Sequence, residues 1–394
     1  MDVSRTASYV LEDALHRRVA GWLNEGAISA VIALARWQEE NNVFGDVAEI
    51  GVHHGKFFIL LANLRRDHER AFAVDVFEDQ QFNPDNSGRG DLSRFRDNLR
   101  LYTNGVGLEI IKKDSIKLIR ADFYRGKRSN IRLFSVDGSH TADHTFSDLT
   151  TAAQLLTEGG LIFLDDFYNP EWPGVQEGFY RFLANSSIDV APFAYGNHKL
   201  YLCKKSYHTR YLAFVESDLR SFLLNYKRVE IGKFPVAYIS LPHPEVVLGK
   251  DLGMMQNVFS LRDRMISPRL TFGRGWAAPQ PNGIWTVGPC SDLQLSLRPM
   301  SNHSPVLCLE IEPFLHNKRP SRRLSVTLND YHLGDFVCEK MKPEGIEIGL
   351  PPGLLDGGCK LQFDIEGPEP PSETIGTTDH RPLGFFFRQI RIVG

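Results

Sequence analysis

The sequence predicts an α/β fold in which a Rossmann-like, mostly parallel seven-stranded sheet is followed by an all-β sandwich. Three observations predict it. Between about residues 46 and 205, short apolar runs alternate with segments of helical periodicity, the pattern of strands covered by helices on both faces. Two of those runs, ending at Val136 and Leu164, stop abruptly at acidic residues, and ligands of open α/β sheets bind outside the carboxyl ends of strands. From residue 266 onward helical periodicity nearly vanishes, and short alternating runs separated by Pro and Gly take over. At 394 residues the chain is too long for one ordinary core. The expected division is a first domain over 1–205, a mixed segment over 206–265 and a β-sandwich over 266–394.

The elements follow in order. Residues 8–40 carry helical spacing through Leu11, Leu15, Val19 and Leu23, then Ile28, Val31, Ile32, Leu34 and Ala35. Strands are expected at Asp46–Val52, Ala71–Val76, Leu108–Lys112, Ile131–Val136 and Gly160–Leu164. Helices are expected at Phe57–Arg65, Leu92–Thr103, Ile116–Tyr124, Thr141–Thr157 and Val175–Asn185. Glu78–Asp91 is a polar, Gly-containing loop. Val190–Ala194 and Lys199–Cys203 read as a hairpin about Gly196-Asn197 and complete seven strands. Tyr211–Tyr226 is helical in pattern and Val236–Ser240 strand-like. The sandwich runs are Leu293–Leu297, Val306–Ile311, Leu324–Leu328, Lys360–Ile365 and Phe385–Ile392.

Composition excludes several classes. The chain is 42% hydrophobic and 24% charged, a globular balance, and its net charge of -3 with no basic stripe gives no reason to expect nucleic acid. Five scattered cysteines form no CxxC pair, which argues against zinc and a disulfide framework and for a reducing compartment. No apolar stretch is long enough for membrane insertion and the N-terminus has no signal-like run, so a cytoplasmic location is expected. The oligomeric state is left open, a homo-oligomer included.

The chemistry is concentrated at the strand ends. Asp137, Asp165 and Asp166 would share one rim, with His140 a turn away. Three carboxylates repel one another unless a cation lies between them, and oxygen ligands suit a hard divalent ion such as Mg²⁺. An imidazole titrates near neutral pH and can serve as a general base. Taken singly, each acid could simply end a strand in a turn or cap a helix. Val47-Ala-Glu-Ile-Gly-Val-His-His-Gly-Lys-Phe57 is a strand, a glycine-bearing turn and a helix start. It lacks the spacing of a P-loop and the third glycine of the dinucleotide fingerprint. Glu49 would repel a pyrophosphate, so a cationic or zwitterionic ligand fits better, with Gly51 and Gly55 letting the backbone approach it. Asp75 ends the second strand, where an acid accepts from ribose hydroxyls, and Asp114-Ser115 ends the third, within reach of an adenine amino group. His53 and His54 read as loop filling, and His144 as a packing or solvent-facing residue.

Glu49-x-Gly51-x-x-x-Gly55, Asp75 and Asp114-Ser115 resemble class I S-adenosylmethionine-dependent methyltransferases. Val74-Asp-Val-Phe-Glu-Asp-Gln80, Ser87-Gly-Arg-Gly-Asp91, Ser135-Val-Asp-Gly-Ser-His140 and its continuation to His144, Gly159-Gly160, Leu164-Asp-Asp-Phe167 and Trp172-Pro-Gly-Val-Gln-Glu-Gly178 resemble the macrocin-type sugar O-methyltransferase branch. The resemblance covers roughly residues 40–205. It implies S-adenosylmethionine bound by Glu49, Gly51, Gly55, Asp75, Asp114, Ser115 and Asp137. It implies Mg²⁺ on Asp137, Asp165 and Asp166, His140 as base, and a sugar-containing substrate. The second metal acid can be Glu in relatives and is Asp165 here. A sugar hydroxyl is a very weak acid, so chelation of a vicinal diol and a base beside it make chemical sense.

Phe167, Tyr168 and Trp172 follow the acids and could pack on a sugar face or in the core. Gly275-Trp276, Gly283-Ile-Trp285 and Thr378-Asp-His-Arg-Pro-Leu-Gly384 resemble β-sandwich modules found beside enzymes of surface-glycan synthesis, which implies carbohydrate binding by association. Exposed, Trp276 and Trp285 would be stacking platforms; buried, sandwich core. Asp379 and Arg381 are either a salt bridge or a ligand clamp. Two other functions stay open. One is a non-catalytic glycan-binding or assembly subunit with a vestigial fold. The other is a hydroxylase-like relative holding Fe(II) on two carboxylates and a histidine.

Overall fold

The computed structural model describes residues 3–11, 16–124, 130–185, 187–249, 257–263, 266–267, 269–297, 305–355 and 358–393. The chain forms two compact units, one of Met1–Glu216 with Leu224–Gly253, the other of Ser217–Leu223 with Met254–Gly394.

The first unit is built on a nine-stranded sheet. Its strands are β1 (Asp46–Ile50), β2 (Ala71–Asp75), β3 (Leu108–Lys112), β4 (Ile131–Val136), β5 (Leu156–Asp165), β6 (Val190–Gly196), β7 (Lys199–Lys204), β8 (Asn225–Ile231) and β9 (Phe234–Ser240). They lie in the order β3-β2-β1-β4-β5-β7-β6-β9-β8. The five strands β3 to β5 are mutually parallel, and β7 returns antiparallel to β5. The predicted mostly parallel, Rossmann-like sheet is therefore present, with two strands more than the seven expected. The extra pair comes from the stretch read as mixed: β9 adds parallel to β6, and β8 pairs with β9.

Helices cover both faces. They are α1 (Val3–Val10), α2 (Glu25–Glu40), α3 (Lys56–Asn63), α4 (Leu92–Tyr102), α5 (Ala142–Leu155), α6 (Pro173–Ala184) and α7 (His208–Ser217). Ile50, Val74, Phe134 and Leu164 pack with Leu149, Ala152, Leu155, Phe179 and Phe182 of α5 and α6 in one core. On the opposite face Phe57 of α3 meets Phe163 of β5, with ring centroids 6.2 Å apart. The helices start where local chemistry says they should. Asn24, Asp91 and Thr141 accept backbone N–H bonds as N-caps of α2, α4 and α5, and Pro173 opens α6.

Two expectations are corrected. The periodicity over 8–40 is not one continuous helical stretch. It is interrupted between α1 and α2 at Gly21, whose φ of +125° no helix tolerates; Leu15 lies outside the described residues. The helix expected over Ile116–Tyr124 is two single 3₁₀ turns, Ser115–Lys117 and Arg120–Phe123. Ile116, Ile119 and Tyr124 stay exposed, so that segment buries no continuous apolar stripe to support an α-helix.

The second unit is all-β. Its strands are β10 (Asn257–Ser260), β11 (Leu270–Phe272), β12 (Ile284–Val287), β13 (Cys290–Leu295), β14 (Val306–Pro313), β15 (Arg322–Leu328), β16 (Tyr331–Cys338), β17 (Glu344–Gly349), β18 (Cys359–Ile365) and β19 (Leu383–Val393). One sheet runs β10-β19-β14-β17 with β12 also on β19, the other β11-β13-β18-β15-β16. Alternate residues of both sheets, among them Leu309, Ile390, Val326 and Phe363, form one core. The expected boundary at residue 265 lies outside the described residues.

Candidate active site

A cavity of about 890 Å³ opens at the carboxyl ends of β1 to β5. Its walls are the turns after β1, β2, β3, β4 and β5, the 80–90 loop, residues 20–24 and the β6–β7 turn. The turn after β1 requires glycine. Gly51 has φ +86°, and a Cβ there would stand 1.7 Å from the carbonyl oxygen of Asp137. That close approach lets the turns after β1 and β4 share one floor. Gly55, at φ +92°, opens α3 without a side-chain cap.

Asp75 lies half-buried at the cavity wall. Its Oδ2 accepts from the backbone N–H of His53 at 2.7 Å and its Oδ1 from that of Phe77 at 2.6 Å. Burial raises its pKa above the ordinary value. At the neighbouring strand end Asp114 accepts from Ile116 N–H, and His144 Nε2 lies 3.4 Å from Asp114 Oδ1. His144 thus lines the cavity beside Asp114. His53 and His54 stack on each other at 3.9 Å.

Ser115 turns inward and donates to Asp148 Oδ2 at 3.1 Å. Asp148 was not singled out by sequence. It is fully buried, its Oδ1 has no hydrogen-bond partner among the described residues, and burial lifts its pKa to about 7. Folded Asp148 therefore keeps its proton to about pH 7, whereas an unfolded carboxyl loses it near pH ~4. Its contribution to stability is complete at about pH 4 and below and is lost as pH rises through about 7. Asp148→Asn, neutral throughout, should remove that decline, worth roughly 2–4 kcal/mol for a shift of about three units. Its melting temperature relative to the parent should be higher at pH 8 than at pH 5. Equal offsets at both pH values would contradict the assignment.

The acidic centre lies between the turns after β4 and β5. Asp137, His140 and Asp166 bring one potential ligand atom each to within 4.8 Å of one another. Asp165 is beside that trio but outside it. Its Oδ2 meets Lys199 Nζ at 2.5 Å, and its Oδ1 accepts from Asp166 N–H at 3.0 Å. So of the three carboxylates expected to converge, the structure groups Asp137 and Asp166 with His140, while Asp165 is ion-paired. Lys199 was missed because it reads as an ordinary residue of an alternating strand. The β5–β7 register places it directly opposite Asp165.

The charges explain the titration behaviour. Burial, and then the neighbouring Asp165, push Asp137 well above the carboxylate range, and Lys199 only partly offsets them. Burial and Asp137 do the same to Glu49, whose Oε2 has no hydrogen-bond partner among the described residues. Burial disfavours the charge on Lys199, yet Asp165 and Asp137 outweigh it and raise its pKa. His140 is also disfavoured as a cation by burial, but hydrogen bonds to Asp166 and Asp85 raise it to about 10.

The His140 ring is held on three sides. Nδ1 is 2.8 Å from Asp85 Oδ2, Nε2 is 3.1 Å from Asp166 Oδ2, and the ring stacks on Trp172 with centroids 4.3 Å apart and planes at 17°. Trp172 is thus engaged with the candidate base. Phe167 is core and Tyr168 is exposed. Asp85, in the 78–91 loop, carried no sequence signal of its own.

In the second unit the Trp276 ring packs against Phe272, Phe363 and Phe387, and its Nε1 donates to the Asp292 carbonyl at 2.7 Å. Trp285 packs against Phe314 and Phe386. The Trp276 ring packs on the sandwich core, whereas Trp285 is half-buried on the opposite face of its strand from the core residue Ile284. Arg381 and Asp379 close on each other in a two-bond ion pair of 2.9 and 2.6 Å.

Residues 48–167 match the sequence family described as Methyltransferase domain. No curated protein matches the chain. Among solved structures the chain is similar to the O-methyltransferase NovP, at 16% identity and a TM-score of 0.39 over 45% of this chain and 79% of that one. It is similar to CalS11, a TDP-rhamnose 3'-O-methyltransferase of calicheamicin biosynthesis, at 17% identity and 0.36 over 50% and 86%. It is also similar to the CBM36-1 domain of a multidomain xylanase from the hindgut metagenome of Trinervitermes trinervoides, at 11% and 0.24 over 35% and 97%. Likeness at this level transfers no residue role and no substrate to this chain.

Proposed function

We propose that the first unit is a Mg²⁺-dependent, S-adenosylmethionine-dependent O-methyltransferase of the macrocin-type branch, acting on a sugar hydroxyl of a bacterial surface polysaccharide or glycosylated metabolite in the cytoplasm. The observation that carries this is the sharing of one cavity by two half-sites. Glu49, Gly51 and Asp75 line one half, and Asp137, His140 and Asp166 the other. The first half suits the cofactor. The buried, unpartnered Glu49 Oε2 calls for a cationic group such as an ammonium, and Asp75 stands where ribose hydroxyls are bound. Gly51, Gly55, Asp114, Ser115 and the Asp137 backbone complete that set.

The second half suits a divalent cation. Glu49, Asp137, Asp165 and Asp166 outnumber Lys199 and His140, and burial drives Asp137 toward protonation unless a cation compensates it. Asp137 and Asp166 would hold the ion, with Asp165 joining them on exchange of its Lys199 partner. Bound S-adenosylmethionine would supply the methyl group, and a divalent ion held by Asp137 and Asp166 would lower the pKa of an acceptor hydroxyl. Asp137 and Asp166 would hold that ion beside the acceptor, and His140, once Nε2 has lost its own proton, would take the hydroxyl proton as the oxygen accepts the methyl group and S-adenosylhomocysteine leaves.

Calorimetry with S-adenosylhomocysteine tests the cofactor half. Binding should be measurable and should weaken at least ~10-fold in Asp75→Ala, with the variant still folding cooperatively but melting lower than the parent, because the His53 and Phe77 N–H groups lose their acceptor. Preference for NAD, or no binding, would sink the reading. Turnover on a glycosyl acceptor should disappear with chelator and return with Mg²⁺.

One observation favours a second reading. Two carboxylates and one histidine within 4.8 Å also form a donor set for Fe(II), as in a hydroxylase. A hydroxylated product formed with Fe(II), O₂ and a reductant, and no methyl transfer with Mg²⁺, would select it.

A further inference from the structure

Asp85 holds a carboxylate where the proposed chemistry needs an oriented imidazole. Its side chain is only 8% exposed although it comes from a polar loop. Oδ1 is fixed by the backbone N–H and hydroxyl of Ser87, at 3.0 and 2.7 Å. Asn83 ties the same loop by donating to the Ser87 carbonyl at 2.7 Å. Oδ2 is then left to face the turn after β4. There it accepts from His140 N–H at 2.5 Å and from the Ser139 hydroxyl at 3.2 Å, and meets His140 Nδ1 at 2.8 Å.

The first two of those bonds would suffice to pin the loop to the turn. The third acts on the imidazole itself. An ionised carboxylate only accepts, so Nδ1 must carry a hydrogen. With Trp172 on its face, the ring can neither flip nor rotate without losing contacts, and Nε2 is directed at Asp166 at 3.1 Å, to which it donates while the ring is protonated, with Asp137 at 4.0 Å. A histidine's reactive nitrogen is set by the hydrogen bond its other nitrogen makes. We propose that Asp85 is the positioning residue for His140, fixing its ring so that Nε2 is the nitrogen presented to the acceptor hydroxyl. Asp85 touches neither acceptor nor cofactor in this role. The inference rests on the reading of His140 as the base, and it adds a dependence on the loop that also walls the cavity through Gln80, Asn83 and Ser87.

The test uses Asp85→Ala and Asp85→Asn in the full chain, with two readouts. In turnover on a glycosyl acceptor, Asp85→Ala should lower kcat ~10- to 100-fold while KM for cofactor and acceptor stays within ~3-fold, as for loss of an orienting partner. Asp85→Asn keeps an oxygen that can accept from Nδ1–H and should recover much of that loss. The second readout needs no turnover. A stacked imidazole quenches indole fluorescence, so Trp172 emission should rise in Asp85→Ala as it does in His140→Ala, and the rise should be absent when Trp172→Phe is added. Unchanged Trp172 emission in both Asp85 variants overturns the proposal. So does wild-type kcat with weakened S-adenosylhomocysteine binding, which would mark Asp85 as a loop anchor only. If no acceptor is methylated by the parent protein but the emission changes appear, the positioning holds and the methyl-transfer reading fails.

Discussion

Gly51→Ala should unfold or gravely loosen the cofactor half of the cavity. Two independent penalties coincide at this position. The residue sits at φ +86°, where an L side chain is strained by about 1–3 kcal/mol. The new methyl would also stand 1.7 Å from the Asp137 carbonyl oxygen and 2.4 Å from its carbonyl carbon. These are backbone atoms that cannot swing away. The Asp137 N–H is bonded to the Ile50 carbonyl at 2.9 Å, and the Gly51 N–H to the Val74 carbonyl at 2.8 Å, so neither turn can retreat without breaking the join between adjacent strands. A cost above about 4 kcal/mol is expected, in the range reserved for core clashes and backbone strain together. Gly105→Ala is the matched control. Gly105 has φ +70° but nothing within 4 Å of its Cβ position, so only the conformational penalty applies. Thermal melts of both variants, with calorimetry on S-adenosylhomocysteine, decide the matter. Gly51→Ala should lose binding and melt well below Gly105→Ala. Near-parental melting and binding in Gly51→Ala would show that the floor does not depend on this approach.

The contrast between these two glycines shows what a sequence can and cannot disclose. Gly51 is legible because it closes a strand and precedes a helix, a pattern with few conformational solutions. The central strands are legible for the same kind of reason: Phe72, Phe134 and Phe163 sit in apolar runs that only a sheet covered on both faces can bury. Strand β5 begins at Leu156, four residues earlier than expected, because Glu158 and Gly159 interrupt the apolar run and hide its start. β8 was hidden differently. Lys227, Arg228 and Glu230 of this edge strand face water, so the alternation that marks a half-buried strand is faint. Among the residues that line the cavity, those carried by short-range pattern were legible: Glu49, Asp75, Asp137, His140, Asp165 and Asp166. Those placed by long-range pairing were not. Lys199 becomes part of the acidic centre only through the register of β7 on β5, and Asp85 reaches His140 across 55 positions of sequence. Neither relation leaves a local trace.

His140→Ala separates catalysis from architecture. If His140 is the base, turnover should fall ~10²–10⁴-fold, the usual contribution of a positioned proton acceptor. Binding of S-adenosylhomocysteine should be unchanged, since the ring lies in the acceptor half. Mg²⁺ affinity should stay within a few-fold, because Asp137 and Asp166 remain; its collapse would instead make His140 a ligand. The rate of the parent enzyme should rise with pH as the imidazole loses its proton, and that rise should be absent in the variant. Stability carries its own signature in the metal-free protein. The imidazole is unprotonated above about pH 6.5 when unfolded but keeps its proton to about 10 when folded, held by Asp166 and Asp85. Its stabilising contribution is therefore complete below about pH 6.5 and is lost as pH rises toward 10. His140→Ala should lower the melting temperature more at pH 6 than at pH 10. Loss of turnover only in proportion to lost folded protein, at either pH, would reduce His140 to a packing residue between Asp85 and Trp172. Loss of turnover at pH 10, where the stability difference has narrowed, leaves proton transfer as its role.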